Sequence, residues 1–407
     1  MVVMTLIRAA TSLVADRLKT VDYALRNMVI DAKILENAGR RIRYLNIGDP
    51  VAFSFKTPPH LISSVERAMR DGANGYMPAT GLLSAREAVA ADCNSRGLSV
   101  SPDRVVLTSG TSEAIDLVLS VLVNPNDNVL LPVPTYPLYT AVLTKIGARA
   151  VYYRTDPTTG WLPDLDHIRS LINRKTRALV VIDPNNPTGA VYPCELRLAL
   201  LDIAGRYGLV TISDEVYADL AYAGSRPTLG SLNPHASVIS ISSISKGYQA
   251  PGWRAGWMVV SGDTRLNDVL LAIKKLADGR LCSPGPMQYA IIAALSGDRS
   301  HQETFRSALR ERATLTTVRL TAIEGMTCVE PAGGFYVMPK VNLPPERTDA
   351  DYVLNLLKST GILCVPGSGF GMKPNDGFFR IVFLPSLSEL TEIYDEMADF
   401  TIEFLGQ

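Results

Sequence analysis

The chain has 407 residues, of which 47% are apolar and 20% are charged, and its formal net charge is zero. This composition is ordinary for a globular protein, and the length predicts two domains or one large domain with a smaller one beside it. The lack of a basic surplus argues against nucleic acid as a partner, and no apolar run in the sequence is long enough to span a membrane.

The amino terminus, Met1–Arg8, is apolar but short, and it has neither a basic leader nor a clear cleavage site. A cytoplasmic location is therefore expected. The five cysteines are widely spread and never form a C-x-x-C pair. We interpret them as reduced thiols, and we predict no metal site.

Short runs rich in β-branched residues alternate with helical patterns over most of the chain. This alternation is typical of an α/β fold with a mostly parallel sheet that is covered by helices on both faces. The predicted strands are Arg104–Thr108, Asn128–Leu131, Ala148–Tyr153, Ala178–Ile182, Leu209–Ser213, Val238–Ser242 and Gly256–Val260.

The pattern changes at about residue 300, where a long polar helix is predicted over Ser300–Glu324. A closing helix is predicted over Ser386–Phe404, and the mixture of short strands and helices between them favours a smaller α+β domain. The short strands are predicted at Met326–Val329, Gly334–Met338, Ile362–Val365 and Phe379–Phe383. We predict that residues 1–50 pack with this small domain, that 51–300 form the large ligand-binding domain, and that 301–407 form the connecting helix and the small domain.

The first motif comes directly after the strand that ends at Thr108. In open α/β sheets, ligands bind outside the carboxyl ends of the strands. Gly110, Thr111 and Ser112 open the next helix there, and they predict a phosphate site because glycine permits close approach while hydroxyls and helix N–H groups donate hydrogen bonds. Ordinary N-capping of the helix is the alternative explanation.

Two further motifs follow later strands. Tyr136 lies between two prolines, where its ring could stack on a planar ligand or could pack in the core beside a turn. The segment Asp183–Gly189 holds Asn186 in a proline-flanked turn, which can present the amide to a phenolic oxygen or a carboxylate. A routine loop could use the same residues.

Asp214 and Glu215 end the strand Leu209–Ser213, and Tyr217 follows them. A carboxylate that is buried at the end of a strand is costly without a cationic partner. The alternative is a surface pair of acidic residues that caps the next element.

The segment Ser243–Gly247 places Lys246 among hydroxyl groups, and Arg254 follows eight residues later. These groups suit pyridoxal phosphate, because its aldehyde forms a Schiff base with a lysine while its phosphate binds hydroxyls and a guanidinium. The protonated ring nitrogen of this cofactor would be the cationic partner that Asp214 requires, and Tyr217 could reach the ring hydroxyl. A solvated surface lysine in a serine-rich loop is the competing interpretation of Lys246.

Near the carboxyl terminus, Arg380 is a lone charge at the start of an apolar strand. A cation in such a place requires a fixed anion, and the carboxylate of a substrate fits the fork of a guanidinium. An internal Asp or Glu partner is the alternative.

Taken in order, these motifs resemble the class I, fold type I aminotransferases that depend on pyridoxal phosphate, over nearly the whole chain from about Val21 to Phe404. Leu45–Pro50, Arg280–Cys282 and Pro366–Gly371 are most similar to the alanine aminotransferase group. Pro251–Arg254 also resembles tyrosine aminotransferases.

The resemblance implies transamination between an α-amino acid, with alanine as the first expectation, and a 2-oxoacid, with 2-oxoglutarate as the first expectation. It implies that Lys246 forms the Schiff base and moves a proton between substrate and cofactor. Asp214 would pair with the ring nitrogen, Tyr217 and Asn186 would contact the ring oxygen, and Tyr136 would stack on the ring. The implied phosphate ligands are Gly110, Thr111, Ser112, Ser243, Ser245 and Arg254, and the implied substrate ligands are Arg380, Asn186 and the backbone at Gly48.

The resemblance also implies a homodimer in which Tyr76 reaches the phosphate site of the neighbouring subunit, although Tyr76 could simply be a loop aromatic. Aspartate-specific relatives hold the side-chain carboxylate with a second arginine, and Arg280 lies near that region without clear register. If Arg280 points elsewhere, the pocket suits a small or apolar side chain, and if it enters the site, dicarboxylates become the first-choice donors.

Aspartate or aromatic aminotransferases, a β-lyase or decarboxylase that uses the same lysine, and a non-catalytic regulator are the other classes. A regulator of this kind usually carries a DNA-binding segment, and the residues before the family-like region are too few for a helix-turn-helix domain.

Overall fold

The computed structural model describes residues 14–19, 24–224 and 226–406. Met1–Arg8 and Val21, which entered the predictions above, lie outside the described residues. Within the described ranges, no helix has the length and the hydrophobicity that crossing a membrane requires. The α-helices of this part of the chain are α1 (Ala24–Asn37), α2 (Pro59–Arg70), α3 (Leu83–Ser95), α4 (Gly110–Leu122), α5 (Pro137–Ile146), α6 (Leu165–Leu171), α7 (Cys194–Arg206), α8 (Leu266–Gly279), α9 (Gly285–Ser296), α10 (Ser300–Thr321), α11 (Asp349–Thr360) and α12 (Leu387–Gly406).

The strands fall into one large sheet and several small ones. In chain order they are β1 (Arg43–Tyr44), β2 (Val105–Thr108), β3 (Asn128–Val133), β4 (Arg149–Asp156), β5 (Leu162–Pro163), β6 (Thr176–Ile182), β7 (Val210–Asp214), β8 (Val238–Ser243), β9 (Gly256–Ser261), β10 (Met326–Thr327), β11 (Tyr336–Val337), β12 (Lys340–Val341), β13 (Ile362–Leu363), β14 (Val365–Pro366) and β15 (Phe379–Val382).

Eight strands form the central sheet in the order β2-β9-β8-β7-β6-β3-β4-β5. The strands from β8 to β4 pair in parallel, whereas β9 is antiparallel to both of its neighbours and β5 is antiparallel to β4. The predicted α/β fold class, with a mostly parallel sheet, is confirmed. Strand β9 departs from the parallel pattern because a loop with one short turn, and no crossover helix, connects it to β8.

Helices cover both faces of the central sheet, and the alternation of side chains along each strand explains how. Val129 and Leu131 belong to a buried cluster with side chains of α4, α5 and α8. Leu130, between them, belongs to the cluster on the opposite face with side chains of α6 and α7. Because successive strand residues point to opposite faces, one continuous apolar run supplies both layers of the core.

The carboxyl-terminal part has its own core around α10, α11 and α12. Helix α10 reads as polar in sequence, but it buries one stripe of residues at helical spacing. The stripe consists of Gln302, Phe305, Leu309, Ala313, Thr316 and Leu320. The strands of this part are shorter than predicted and belong to separate small sheets, β11-β15-β14, β10-β12 and β1-β13. The sequence analysis missed β1, β5 and β12, because two residues are too few to show an alternating pattern.

The strand ends that carry the motifs meet at one edge of the central sheet. Ile182 at the end of β6 pairs with Asp214 at the end of β7, and Asp214 pairs with Ile241 of β8. Gly256, the first residue of β9, pairs with both Ser243 and Thr108, the last residues of β8 and β2. This register brings segments that are far apart in sequence to a common edge.

Candidate active site

A cavity of about 260 Å³ lies at this edge of the sheet. Its wall combines loops that follow the strands of the central sheet with residues from both ends of the chain. The lining residues are Asn46, Ile47, Gly48, Thr111, Ser112, Tyr136, Ile182, Asn186, Asp214, Val216, Tyr217, Ser245, Lys246, Pro251, Arg254, Tyr336 and Arg380.

One end of the cavity, which we call the α4 end, consists of Thr111, Ser112, Ser245 and Arg254, which line the cavity, and of Gly110, which lies beside Arg254 but does not line it. The Arg254 guanidinium donates to Ser112 Oγ at 3.4 Å. Gly110 has a φ of +73°, and a Cβ built on it would lie 2.3 Å from that guanidinium, so only glycine allows the approach. The hydroxyl that precedes the helix makes no capping hydrogen bond to it. Only half of a capping box is therefore present: the Glu113 carboxylate accepts the Ser109 N–H at 2.6 Å, whereas the first-turn N–H groups of α4 receive no hydrogen bond from the Ser109 hydroxyl.

Lys246 lies between the two ends of the cavity and is only partly exposed, unlike a solvated surface lysine. Its Nζ donates to the backbone oxygen of Gly48 at 2.6 Å. Ser245, the preceding residue, lines the cavity. Ser243 is buried and does not line it, and its Oγ accepts the Ser245 N–H at 3.3 Å. As a ligand of phosphate, Ser243 stays a prediction.

Asp214 is 4% exposed and Glu215 is 8% exposed, so the pair is not a surface cap. Asp214 lines the cavity and accepts hydrogen bonds from the Val216 N–H at 3.3 Å and from the Tyr139 hydroxyl at 3.2 Å. Burial raises the pKa of Asp214 to about 6, and these two hydrogen bonds oppose the rise. A carboxylate in this state favours a cationic partner in the cavity.

Tyr217 lines the cavity beside Asp214, and its hydroxyl donates to the hydroxyl of Tyr336 at 2.9 Å. Burial, and then the neighbouring Tyr336, raises the pKa of the Tyr217 phenol well above its ordinary value, so the phenol keeps its proton. Tyr336 also packs against Gly48, where a Cβ would lie 1.9 Å from the Tyr336 oxygen. A side chain at Gly48 would displace this tyrosine.

The two asparagines of the segment Asp183–Gly189 have different partners. Asn185 Oδ1 accepts hydrogen bonds from the backbone and the hydroxyl of Thr188, which closes the turn. Asn186 lines the cavity, and its Oδ1 accepts a hydrogen bond from Arg380 at 3.2 Å. The turn is thus held by one asparagine, and the other faces the cavity.

The opposite end of the cavity, which we call the Arg380 end, consists of Asn46, Gly48, Asn186, Tyr336 and Arg380. Arg380 is 3% exposed, and the rings of Tyr336 and Phe370 each lie 4.7 Å from its guanidinium carbon. Besides Asn186, it donates to the backbone oxygen of Asn46.

No carboxylate of the described residues pairs with Arg380, so its partner is not an internal Asp or Glu, and its Nε has no hydrogen-bond partner there. Burial lowers the pKa of this guanidinium, as expected for a buried cation without a counter-charge.

Tyr76 and Arg280, which the sequence analysis also named, lie outside the cavity wall as well. Tyr76 is 84% exposed in the loop between α2 and α3. Arg280 is turned away, because its Nε lies 2.6 Å from Glu113 Oε1 and its guanidinium donates to the backbone oxygen of Leu107 at 2.7 Å.

Sequence reasoning missed two residues of the cavity wall, Asn46 and Tyr336, and also Tyr139, which lies outside the wall and contacts Asp214. Asn46 was quoted only as part of a family-like stretch, and Tyr336 only as part of a predicted strand. Tyr139 follows Tyr136 by three residues, and this spacing at the start of a helix was the available signal. None of the three is charged, and an uncharged residue in an apolar segment gives no sign of a site before its neighbours are known.

The residues of the cavity fit pyridoxal phosphate. The α4 end offers hydroxyls, N–H groups and a guanidinium for a phosphate, Lys246 offers an amine for an aldehyde, and Asp214 offers a carboxylate for a protonated ring nitrogen. The amide nitrogen and oxygen of Asn46 are buried in the cavity wall without a hydrogen-bond partner among the described residues. Orphaned polar atoms of this kind indicate that the cavity receives a polar molecule.

Comparison with known proteins leads to the same chemistry. The chain matches the family model "Aminotransferase class I and II" over residues 42–395. It is 36% identical over 398 residues to the glutamate–pyruvate aminotransferase AlaA of Haemophilus influenzae, with 96% of this chain and 98% of that protein covered. It is also 36% identical over 399 residues to the alanine aminotransferase of Mycobacterium bovis, with 95% and 92% covered.

Among solved structures, the alanine aminotransferase from Pyrococcus furiosus superposes with a TM-score of 0.93 at 38% sequence identity, over 96% of this chain and 100% of that one. Both the sequence and the fold therefore match over nearly the full length. The chain belongs to the class I and II aminotransferases, and its cofactor is pyridoxal phosphate.

Proposed function

We propose that this enzyme transfers the amino group of alanine to a 2-oxoacid, with 2-oxoglutarate as the first candidate. The observation that carries the proposal is one cavity that brings together the amine of Lys246, the buried carboxylate of Asp214 and the buried, unpaired guanidinium of Arg380. The names of the similar proteins, alanine aminotransferase and glutamate–pyruvate aminotransferase, support this pair of substrates.

The position of Arg280 supports a small side chain on the amino donor. Its guanidinium is engaged by Glu113 and by the backbone of Leu107, and it does not line the cavity. The cations in the described cavity wall are Lys246, Arg254 and Arg380. Because each of these has another role in the proposal, a side-chain carboxylate on the donor has no dedicated cation among them.

For the cofactor, we propose that the α4 end and Ser243 hold the phosphate and that Tyr136 stacks on the ring. Asp214 pairs with the ring nitrogen, and Tyr217 and Asn186 contact the ring oxygen. The raised pKa of Tyr217 supports its role, because a phenol that keeps its proton donates to an anionic oxygen. When bound, the cofactor supplies an electron sink that stabilises negative charge at the substrate Cα.

For the substrate, Arg380 binds the α-carboxylate, and Asn186 and the backbone of Gly48 complete the site. Two aromatic rings and two hydrogen bonds restrict the movement of the guanidinium, which sets the orientation of the substrate as well as its affinity. Lys246 would take the proton from the substrate Cα and deliver it to the cofactor, and in the second half of the cycle it would move a proton in the opposite direction, to the Cα of the other substrate. Its hydrogen bond to Gly48 shows that the amine reaches the Arg380 end.

The test is a panel of half-reactions. The holoenzyme is mixed with alanine, glutamate, aspartate or tyrosine without an oxoacid, and the change in absorbance of the bound cofactor is followed. Alanine is expected to react fastest, and glutamate must also react if 2-oxoglutarate is the acceptor. A faster reaction with aspartate or tyrosine would overturn the substrate assignment, and release of ammonia with pyruvate would indicate a β-lyase.

We also infer a homodimer in which Tyr76 reaches the neighbouring subunit's phosphate site. The 84% exposure of Tyr76 supports this, as do the exposed apolar side chains of Ile62, Met69 and Leu83 on the adjoining helices. Sedimentation velocity should give a dimer, and Tyr76→Phe should weaken cofactor binding. A monomer with full cofactor affinity would contradict both statements.

The division into residues 1–50, 51–300 and 301–407 is likewise a proposal. The parallel pairing of β1 with β13 supports the packing of the N-terminal segment with the carboxyl-terminal part. The cytoplasmic location is proposed from the cysteines, which are all free in this structure, as is usual in a reducing compartment.

A further inference from the structure

Tyr139 is a buried tyrosine that the proposed mechanism does not use. It is the third residue of α5, it has no exposed surface, and it is not part of the cavity wall. Its hydroxyl donates to Asp214 Oδ2 at 3.2 Å. The phenol therefore touches the group that faces the cofactor, while the phenol itself lies outside the cavity.

The adjacent carboxylate, Glu215, shows how differently these two acids are held. Glu215 Oε1 accepts three hydrogen bonds, from the Ser213 hydroxyl at 2.8 Å, the Leu229 N–H at 2.9 Å and the Ser240 hydroxyl at 3.0 Å. Asp214 accepts two longer ones, and one of these comes from Tyr139. A carboxylate has about four acceptor sites, so Asp214 keeps capacity for a ligand.

The contact with Tyr139 favours the ionised form of Asp214. Burial raises the pKa of Asp214 to about 6, whereas hydrogen bonds that donate to the carboxylate lower it. Burial, and then the neighbouring Asp214 charge, also raises the pKa of the Tyr139 phenol, so it keeps its proton and serves only as a donor. The backbone N–H of Val216 is the other donor, and a side-chain substitution cannot remove it.

We propose that Tyr139 is a positioning residue that keeps Asp214 ionised and orients it toward the ring nitrogen of pyridoxal phosphate. The inference rests on the proposed contact of Asp214 with that nitrogen. Tyr139 does not touch the cofactor itself, and it acts on the cofactor only by way of Asp214. With the hydroxyl in place, the proton that the carboxylate and the ring nitrogen share is held on the nitrogen.

The test removes one oxygen atom in Tyr139→Phe and leaves the ring to pack. The matched control is Tyr153→Phe, because Tyr153 is also fully buried and its hydroxyl donates to the backbone oxygen of Val180 at 2.8 Å, outside the cavity wall. Two quantities are measured for each holoenzyme: the dissociation constant of pyridoxal phosphate and the ¹⁵N chemical shift of the ring nitrogen in labelled cofactor. Melting temperatures of the cofactor-free variants report any loss of fold.

Tyr139→Phe should weaken cofactor binding by about tenfold, the loss expected for one hydrogen bond to a charged group, and should move the nitrogen signal toward the unprotonated form. Tyr153→Phe should keep both values. Parental values for a folded Tyr139→Phe protein would overturn the inference. Asp214→Asn separately tests the proposed role of Asp214. If this variant leaves the nitrogen signal at the parental position, the proposed role of Asp214 itself is wrong.

Discussion

The two ends of the cavity are built in different ways. The α4 end comes from two short stretches, Gly110–Ser112 and Ser245–Arg254, and its hydroxyls at Thr111 and Ser112 are partly exposed. The Arg380 end combines residues from four distant parts of the chain, and 334 positions separate Arg380 from Asn46, whose backbone it contacts. Its side chains are buried.

The two ends therefore contribute different kinds of interaction to ligand binding. Groups at the α4 end stand at a strand end and a helix start, where hydrogen-bond donors are available from local geometry alone. At the Arg380 end, a buried cation contacts two aromatic rings and two polar groups, so its orientation is fixed and the loss of any partner is costly. Substitutions at the two ends should therefore affect different steps.

Lys246 is where the two ends meet, and its removal should have the largest effect. We expect Lys246→Ala to lower the turnover of alanine with 2-oxoglutarate by at least about a thousandfold, because the amine both holds the cofactor and moves the substrate proton. Steady-state assays measure this. Lys358→Ala, at an exposed position on α11, is the control. Parental turnover in Lys246→Ala would remove the lysine from the mechanism.

At the Arg380 end, Arg380→Ala should lower kcat/KM for amino-acid donors by about a hundredfold, because a buried charged hydrogen-bond pair with the carboxylate is lost. Cofactor affinity should change little. Kinetics with varied alanine and a separate cofactor titration check both points. Arg310→Ala, on the exposed face of α10, is the control. If Arg380→Ala alters cofactor affinity and spares the donor kinetics, the assignment of the two ends is wrong.

At the α4 end, a substitution should affect cofactor affinity more than the kinetics with the amino-acid donor. Arg254→Gln should weaken cofactor binding by roughly 30-fold, because a charge-assisted contact to phosphate is lost, with a smaller change in the KM for alanine at saturating cofactor. Cofactor titration of the dialysed protein measures the first quantity. Equal losses in cofactor affinity for Arg254→Gln and Arg380→Ala would show that the two ends do not act separately.

The smallest predicted effect concerns Asp214, which lies between the two ends of the cavity. It is an effect of pH on the unfolding free energy of the cofactor-free protein. Its pKa is raised to about 6 in the fold, so the folded protein binds a proton more tightly than the unfolded chain. Stability is therefore lost as the pH rises through the window from about 4 to 6. The Asp214→Asn variant has no carboxylate to ionise at this position and does not lose this stability. The difference in unfolding free energy between the variant and the parent protein should therefore change in favour of the variant by about 1.4 kcal/mol between pH 5 and pH 8.

Denaturant titrations of the cofactor-free proteins at these two pH values provide the measurement. Asp202→Asn, at an exposed position on α7, is the control. A pH-independent difference between Asp214→Asn and the parent would show that the carboxylate titrates normally.

Most of the site residues that could be predicted from the sequence belong to short motifs, in which a few adjacent residues indicate the chemistry. Glycine before two hydroxyls, a lysine among serines, and an acidic pair after a β-branched strand each predict a ligand group without knowledge of the fold. The positions of Tyr139, Tyr336 and Asn46 could not be predicted in this way. They are uncharged, and their roles depend on a partner that lies at least 75 residues away for Tyr139 and 119 for Tyr336.

The alternating layers, the main strands of the sheet and the charged groups that face the cavity could be predicted from the sequence, because periodicity and local motifs carry that information. Three features required the folded chain: β9 runs antiparallel, Arg280 pairs with Glu113 outside the cavity wall, and Asn186 faces Arg380 while Asn185 closes the turn. These outcomes depend on which distant groups compete for the same hydrogen bond or charge, and that competition exists only once the chain is folded.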